Sequence, residues 1–273
     1  DYRDRELPRA LSIFFGNVSA AAKGLRMLDG QADFNRVWPG SMNTDSPESA
    51  MMQQVVDTMR ARTAFASLDI HNNTGINPHY ACINRVDNQF LHLASLFSRT
   101  VVYFIRPLGV QSMAMSYVCP SVTIECGKPE HEYGTRHARD YIDACLHLSE
   151  LPQQPVPSHD VDLFHTVAIV KVPKAMSFGF DNADTDLCLL SNIDHLNFRE
   201  LPVGSRLGQF RNGVDGLLDV RDDNDQDVFK RYFTVDDGVL MSASPFMPSM
   251  FTLDERVIRQ DCVGYLMERL LPE

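Results

Sequence analysis

The sequence contains no apolar run of eighteen residues, no closely spaced pair of cysteines and no surplus of positive charge. The first absence excludes a membrane-spanning helix. The second concerns Cys82, Cys119, Cys126, Cys145, Cys188 and Cys262, which stand too far apart for a CxxC zinc or redox motif. In a chain of this size that scatter points to reduced thiols and a cytoplasmic protein. The third, a formal charge of −11, argues against a nucleic-acid surface, because phosphate contacts need clustered Lys and Arg. It leaves room for a local basic pocket, which an acidic protein needs if it binds an anion. The N-terminal DYRDRELPRA also lacks the apolar core of a signal peptide, in keeping with a cytoplasmic address.

What is present is an ordinary globular composition, 44% hydrophobic and 22% charged over 273 residues. That is enough chain to bury a core without staples. The apolar run ALSIFFGN, Ala10 to Asn17, reads as a buried strand feeding a loop. VSAAAKGLRML is compatible with a short helix. SPESAMMQQVVDTMRAR carries helix signals: Ser46 as N-cap, Pro47 at the first position and Glu48 in the first turn. FASLDIH then predicts a strand, DNQFLHLASLFS a helix, RTVVYFI and PSVTIECG strands, and TRHARDYIDACLHLSEL a helix. Alternating strands and helices indicate an α/β layer with a mostly parallel or mixed sheet and flanking helices, over residues 1–150.

Pro152, Pro155 and Pro157 break the pattern and mark 151–160 as a linker. Beyond it HTVAIVKV, GLLDV, RYFTV and GVLMSA read as short strands, so 161–273 is expected to form a smaller β-rich domain. VIRQDCVGYLMERLL closes it as a candidate helix.

Ligands of an open α/β sheet collect beyond the carboxyl ends of its strands. Three polar groups fall at such ends here: Asn17, His71 and Glu125. In a strand Asp69 and His71 share a face, and a carboxylate beside a histidine suits a metal site by fixing the tautomer. A strand-end histidine with ordinary hydrogen bonds is the commoner case. Glu125 ends the apolar SVTIE; burial there raises a carboxyl pKa towards general-base usefulness, although a loop-capping glutamate looks the same in sequence. In DFNRVWPG, Asn35 and Arg36 stand beside the only tryptophan, and a guanidinium with a neighbouring amide matches a carboxylate. Arg26 is a second cationic candidate, and His79 is an outside one. HLSE, His147 to Glu150, has metal-like spacing but reads as a solvated helix end.

Taken in order, GNVSAAAKGLRML, DFNRVWPG, SLDIHNNTG and PSVTIECG resemble the aspartoacylase and succinylglutamate desuccinylase branch of the zinc carboxypeptidase family. DFNRVWPG is similar to that branch's Asp-Leu-Asn-Arg segment, DIHNNTG to its Asp-Leu-His-Asn-Thr segment, and TIECG to its Glu-Val-Gly segment. The resemblance covers Ser12 to Gly127 well and the β-rich tail more loosely. It implies one zinc ion with His71 as a ligand and Asp69 behind it. Glu125 would activate water and pass its proton to the leaving amine, Arg26 would polarise the scissile carbonyl, and Asn35 with Arg36 would hold a substrate carboxylate. The implied partner is a small molecule or peptide with a free carboxylate, and the implied reaction is cleavage of the adjacent amide in an N-acyl amino acid or small peptide.

The chain departs from the branch at two points. The other two zinc ligands come from a His-x-x-Glu loop upstream of Arg26, and no histidine precedes Arg26 here. Either the sequence begins downstream of that loop, with DYRDRELPRA as the polar tail of an interrupted helix, or the protein is a metal-free, catalytically incompetent relative that binds carboxylates. The first is the expectation, because loss of a sheet strand would expose an edge. The branch also often carries an arginine ahead of the catalytic glutamate; none lies between Arg106 and Glu125, so substrate type is not carried over.

Overall fold

The computed structural model describes residues 2–42, 45–181, 184–211 and 217–270. The protein is α/β, and its backbone divides into two compact units. The first unit comprises Asp1–Ile70, Ala81–Ile124 and Arg136–Val161; the second comprises His71–Tyr80, Glu125–Thr135 and Asp162–Glu273.

In chain order the first elements are α1 (Val18–Ala21), α2 (Pro47–Ala61), β1 (Ser67–His71), β2 (Tyr80–Ile83), α3 (Asn88–Ser95), β3 (Thr100–Tyr103), α4 (Gln111–Met115), β4 (Ser121–Glu125) and α5 (Glu132–His147). The strands lie in the order β1-β4-β2-β3. β2 and β3 are parallel, with Ala81 opposite Val101. β1 and β4 also run the same way: the Ser67 N–H donates to the Pro120 carbonyl at one end, and the Cys126 N–H to the His71 carbonyl at the other. The carboxyl ends of β1 and β4 therefore lie side by side. All five residues of β4 and all four of β2 are buried, the mark of strands covered on both faces.

Local chemistry explains the helices. The Ser46 side chain accepts from the Ser49 N–H, and Pro47 occupies a first-turn position where no N–H is needed. Asp87 caps α3 by accepting from the Gln89 N–H. In α5, buried Ala138, Tyr141 and Cys145 recur at helical spacing, and the Tyr141 hydroxyl donates to the Leu93 carbonyl at 2.8 Å. Val37, Trp38, Met52, Val56, Ala114, Met115 and Cys119 form one core cluster of this unit.

The remaining elements belong to the second unit: β5 (Asp162–Lys171), β6 (Phe178–Phe180), β7 (Leu187–Leu189), β8 (Arg206–Phe210), β9 (Asp219–Arg221), α6 (Phe229–Tyr232), β10 (Phe233–Asp236), β11 (Val239–Ser242), β12 (Met247–Ser249), α7 (Glu255–Gln260) and β13 (Gly264–Arg269). β13 pairs antiparallel with β5 and with β12, and β9 pairs with β5. A five-stranded sheet, β10-β11-β8-β7-β6, completes the unit. The core between these elements gathers Leu187, Leu207, Val220, Tyr232, Leu240, Phe251 and Leu266.

Four sequence expectations need correction. Ala10–Asn17 forms no strand, and Ile13 and Phe15 are 68% and 77% exposed. Apolar character suits a strand, but a strand also needs a neighbour for its backbone groups, and none lies alongside among the described residues. Phe14 instead packs edge-on against Trp38 at 5.9 Å. Asn17 is accordingly not at a strand end; it caps α1, its side chain accepting from the Ala20 N–H. VIRQDCVGYLMERLL is not one helix: α7 stops at Gln260, and Gly264 opens β13 where a Cβ would lie 2.4 Å from the Phe251 ring. RYFTV begins in α6 and becomes a strand only at Phe233. Gly216 of GLLDV and Leu271 of the closing segment lie outside the described residues.

Candidate active site

Within the second unit, His71 and Glu125 come from the adjacent ends of β1 and β4. Nδ1 of His71 lies 3.8 Å from Oε1 of Glu125, with side-chain exposures of 28% and 6%. The histidine is thus reachable from solvent while the carboxylate is enclosed.

The loops after these residues are stitched together. The Gly127 carbonyl accepts from the Asn73 N–H at 3.1 Å and from the Asn72 side-chain amide at 3.1 Å. The Asn73 amide donates through Nδ2 to Oε2 of Glu125 at 3.2 Å. Asn73 is itself buried. Gly127 holds φ +75, and a Cβ there would stand 3.2 Å from Nε2 of His79. His79 stacks on Tyr133 at 5.1 Å. Gly134 lets α5 start close to β4, because a Cβ there would fall 2.1 Å from the Cys126 carbonyl oxygen. The Cys126 thiol is pushed up to about 12, first by burial and then by the Glu125 carboxylate, so it stays a neutral neighbour.

Arg26, Asn35 and Arg36 lie in the first unit. Asp33 organises their loop: Oδ2 pairs with Nη2 of Arg26 at 2.7 Å, and Oδ1 accepts from the Asn35 N–H at 2.9 Å. The Arg36 guanidinium donates through Nη1 to the Asn35 carbonyl at 2.7 Å. Buried Trp38 anchors the loop, its backbone N–H donating to the Gly109 carbonyl at 3.1 Å. Gly109, at φ +75, cannot be replaced without conflict, since a Cβ would lie 2.4 Å from the Arg36 carbonyl oxygen. Asn17 shapes the preceding turn by donating to Gln31 at 2.8 Å and to the Arg26 carbonyl at 3.2 Å. Asp69 is half-buried on the same face of β1 as His71, while Ile70 between them is exposed. His147 ends α5 with Nδ1 2.8 Å from the Asp143 carbonyl oxygen, in keeping with a helix terminus.

Sequence reasoning missed Asn73 and Asn77. The only trace in the sequence is the run of amides after His71, namely Asn72, Asn73 and Asn77, which an ordinary turn also contains.

The described residues do not fit the three-ligand zinc centre that the resemblance implies. Among them no three His, Cys, Asp or Glu side chains stand close enough to hold a metal ion together. His71 can offer one nitrogen and Glu125 one carboxylate, so no chemical step is routed through zinc. Among the described residues no helix is long and apolar enough to cross a membrane.

The same fold occurs in solved structures named succinylglutamate desuccinylase and aminoacylase. No family model and no curated protein matches the sequence. The fold matches succinylglutamate desuccinylase from Chromobacterium violaceum with a TM-score of 0.55 at 17% identity, covering 94% of this chain and 73% of that one. It matches succinylglutamatedesuccinylase/aspartoacylase from Rhodobacter sphaeroides with a TM-score of 0.57 at 15% identity, covering 93% and 74%. Murine aminoacylase 3 gives a TM-score of 0.58 at 13% identity, covering 94% and 84%. At such identities the likeness establishes the fold.

Proposed function

We propose that the protein hydrolyses an amide bond next to a free carboxylate, in an N-acyl amino acid or a small peptide. The observation that carries this reading is the enclosed Glu125 carboxylate, fixed by Asn73 and facing a solvent-reachable histidine 3.8 Å away. It stands on a fold shared with proteins named desuccinylase and aminoacylase.

In this reading Glu125 takes a proton from water as the water oxygen attacks the acyl carbon. It then returns the proton to the nitrogen as the C–N bond breaks, leaving a carboxylic acid and an amine. Arg26 is assigned to the developing oxyanion, and Asn35 and Arg36 to the substrate carboxylate. Zinc enters this reading only as the ion that His71 could ligate with one nitrogen, and no step depends on it.

The test is amine release from a panel of N-acyl amino acids, comparing the unmodified protein with Glu125→Gln. The substitution is expected to lower kcat by about 100-fold or more, the scale of a lost general base. Equal turnover by the two proteins would remove Glu125 from the chemistry.

One observation favours a second reading, a carboxylate-binding protein without turnover: among the described residues the donor set is short of three. Calorimetry separates the two, since heat of binding to an N-acyl amino acid with no amine released, even after zinc is added, would select the binder.

A further inference from the structure

Glu125 can act on water only if one of its two oxygens is held still and the other is aimed. The holding bond comes from Asn73, and a side-chain amide has two faces of opposite polarity that can exchange by a half-turn. If the amide turned, its oxygen would meet Oε2 of Glu125 and repel it. Something has to choose the face.

The choice runs through Asn77. Its Nδ2 donates to Oδ1 of Asn73 at 3.1 Å, and its own Oδ1 accepts from the backbone N–H of Met250 at 3.0 Å. A backbone N–H can only donate, so it fixes the Asn77 amide with its oxygen towards Met250. The NH2 of Asn77 then faces Asn73, which in turn must present oxygen to Asn77 and NH2 to Glu125.

The anchoring segment is itself held from several sides. Asn197 binds both the N–H and the carbonyl of Phe251, at 2.9 and 2.8 Å. Thr74 and Thr252 share a hydroxyl hydrogen bond at 2.8 Å. Met250 keeps φ +63, a left-handed conformation that a non-glycine residue holds only where its surroundings impose it.

We propose that Asn73 is a positioning residue for Glu125, and that the Met250 N–H sets its orientation through Asn77. The relay fixes Oε2 and so aims Oε1, the oxygen that faces His71. It rests on the general-base reading of Glu125, and the test keeps the two apart.

Two substitutions in the 273-residue chain carry the test. Asn73→Leu keeps the shape and removes the donor. Asn77→Asp keeps the acceptor for Met250 but turns the atom facing Asn73 from donor to acceptor, which drives the Asn73 amide round. Each is expected to lower kcat by about 100-fold, the cost of a misdirected reacting group, with KM unchanged and the fold retained. The side-chain amide signals of Asn73 in a 15N-labelled sample give a readout independent of turnover. They should move in Asn77→Asp and in Glu125→Gln. Should Asn77→Asp retain wild-type kcat, or leave the Asn73 signals in place, the relay is wrong. Loss of activity in Glu125→Gln but not in either asparagine variant overturns the relay alone. Full activity in Glu125→Gln overturns the general-base reading beneath it; the amide signals then decide whether the relay exists as structure.

Discussion

Arg36 turns its guanidinium back onto its own loop, where Nη1 meets the Asn35 carbonyl 2.7 Å away. A guanidinium is a planar fork of five donors, and a pair of them matches a carboxylate. Arg36→Ala is therefore expected to raise KM by about 10- to 100-fold, the worth of a charge-assisted hydrogen bond, with little change in kcat. A lowered kcat at constant KM would place Arg36 in the chemistry instead of the binding. At this scale the sequence showed the charged and aromatic residues with Asn35, and hid Asn73 and Asn77. His71 and Glu125 were visible because strand periodicity puts them at strand tips, and the end of a buried strand seldom carries such groups. Asn73 and Asn77 were not, because asparagine in a turn is what a turn normally contains. Only the donor and acceptor order across Asn73, Asn77 and Met250 distinguishes them, and Met250 lies far along the chain.

Among the elements, α2 was the most legible, since Ser46, Pro47 and Glu48 each supply a local start signal that no distant residue has to confirm. Ala10–Asn17 was the least, because an apolar run states hydrophobicity and not whether a partner strand exists. β13 was obscured by α7, which precedes it with helical spacing; only Gly264, pressed against Phe251, marks the change. The loop after β1 shows how such a close approach bears on function. A Cβ at Gly75 would lie 2.1 Å from the Phe251 carbonyl oxygen and 3.1 Å from Nδ2 of Asn77. Gly75→Ala must therefore push the loop away from the segment that orients Asn77. We expect a loss of about 1–3 kcal/mol in denaturant unfolding, typical of overpacking a tight site, accompanied by a lower kcat. Undiminished stability and turnover would mean that the loop can shift without cost, and that its contact with Phe251 is incidental to the site.

Across the whole molecule the thiols report on how well the α/β core is sealed. Burial pushes the pKa values of the Cys119 and Cys145 thiols up to about 11. In the unfolded chain a thiol ionises near its ordinary value of 9.0. The sign follows from linkage: the folded state holds these protons to higher pH than the unfolded state does. Their contribution to stability is complete below pH 9 and is lost as pH rises towards about 11. The unfolding midpoint should accordingly decline across that window, and less steeply in a Cys119→Ala, Cys145→Ala double variant than in the parent. Cys119 belongs to the cluster around Trp38 that anchors the Arg36 loop, so the same titration should loosen carboxylate binding as it lowers stability. Calorimetric affinity for an N-acyl amino acid, followed from pH 8 to 11 alongside the melting midpoint, checks both at once. If affinity held constant while the midpoint fell, the loop would be braced by something other than the core beneath Trp38.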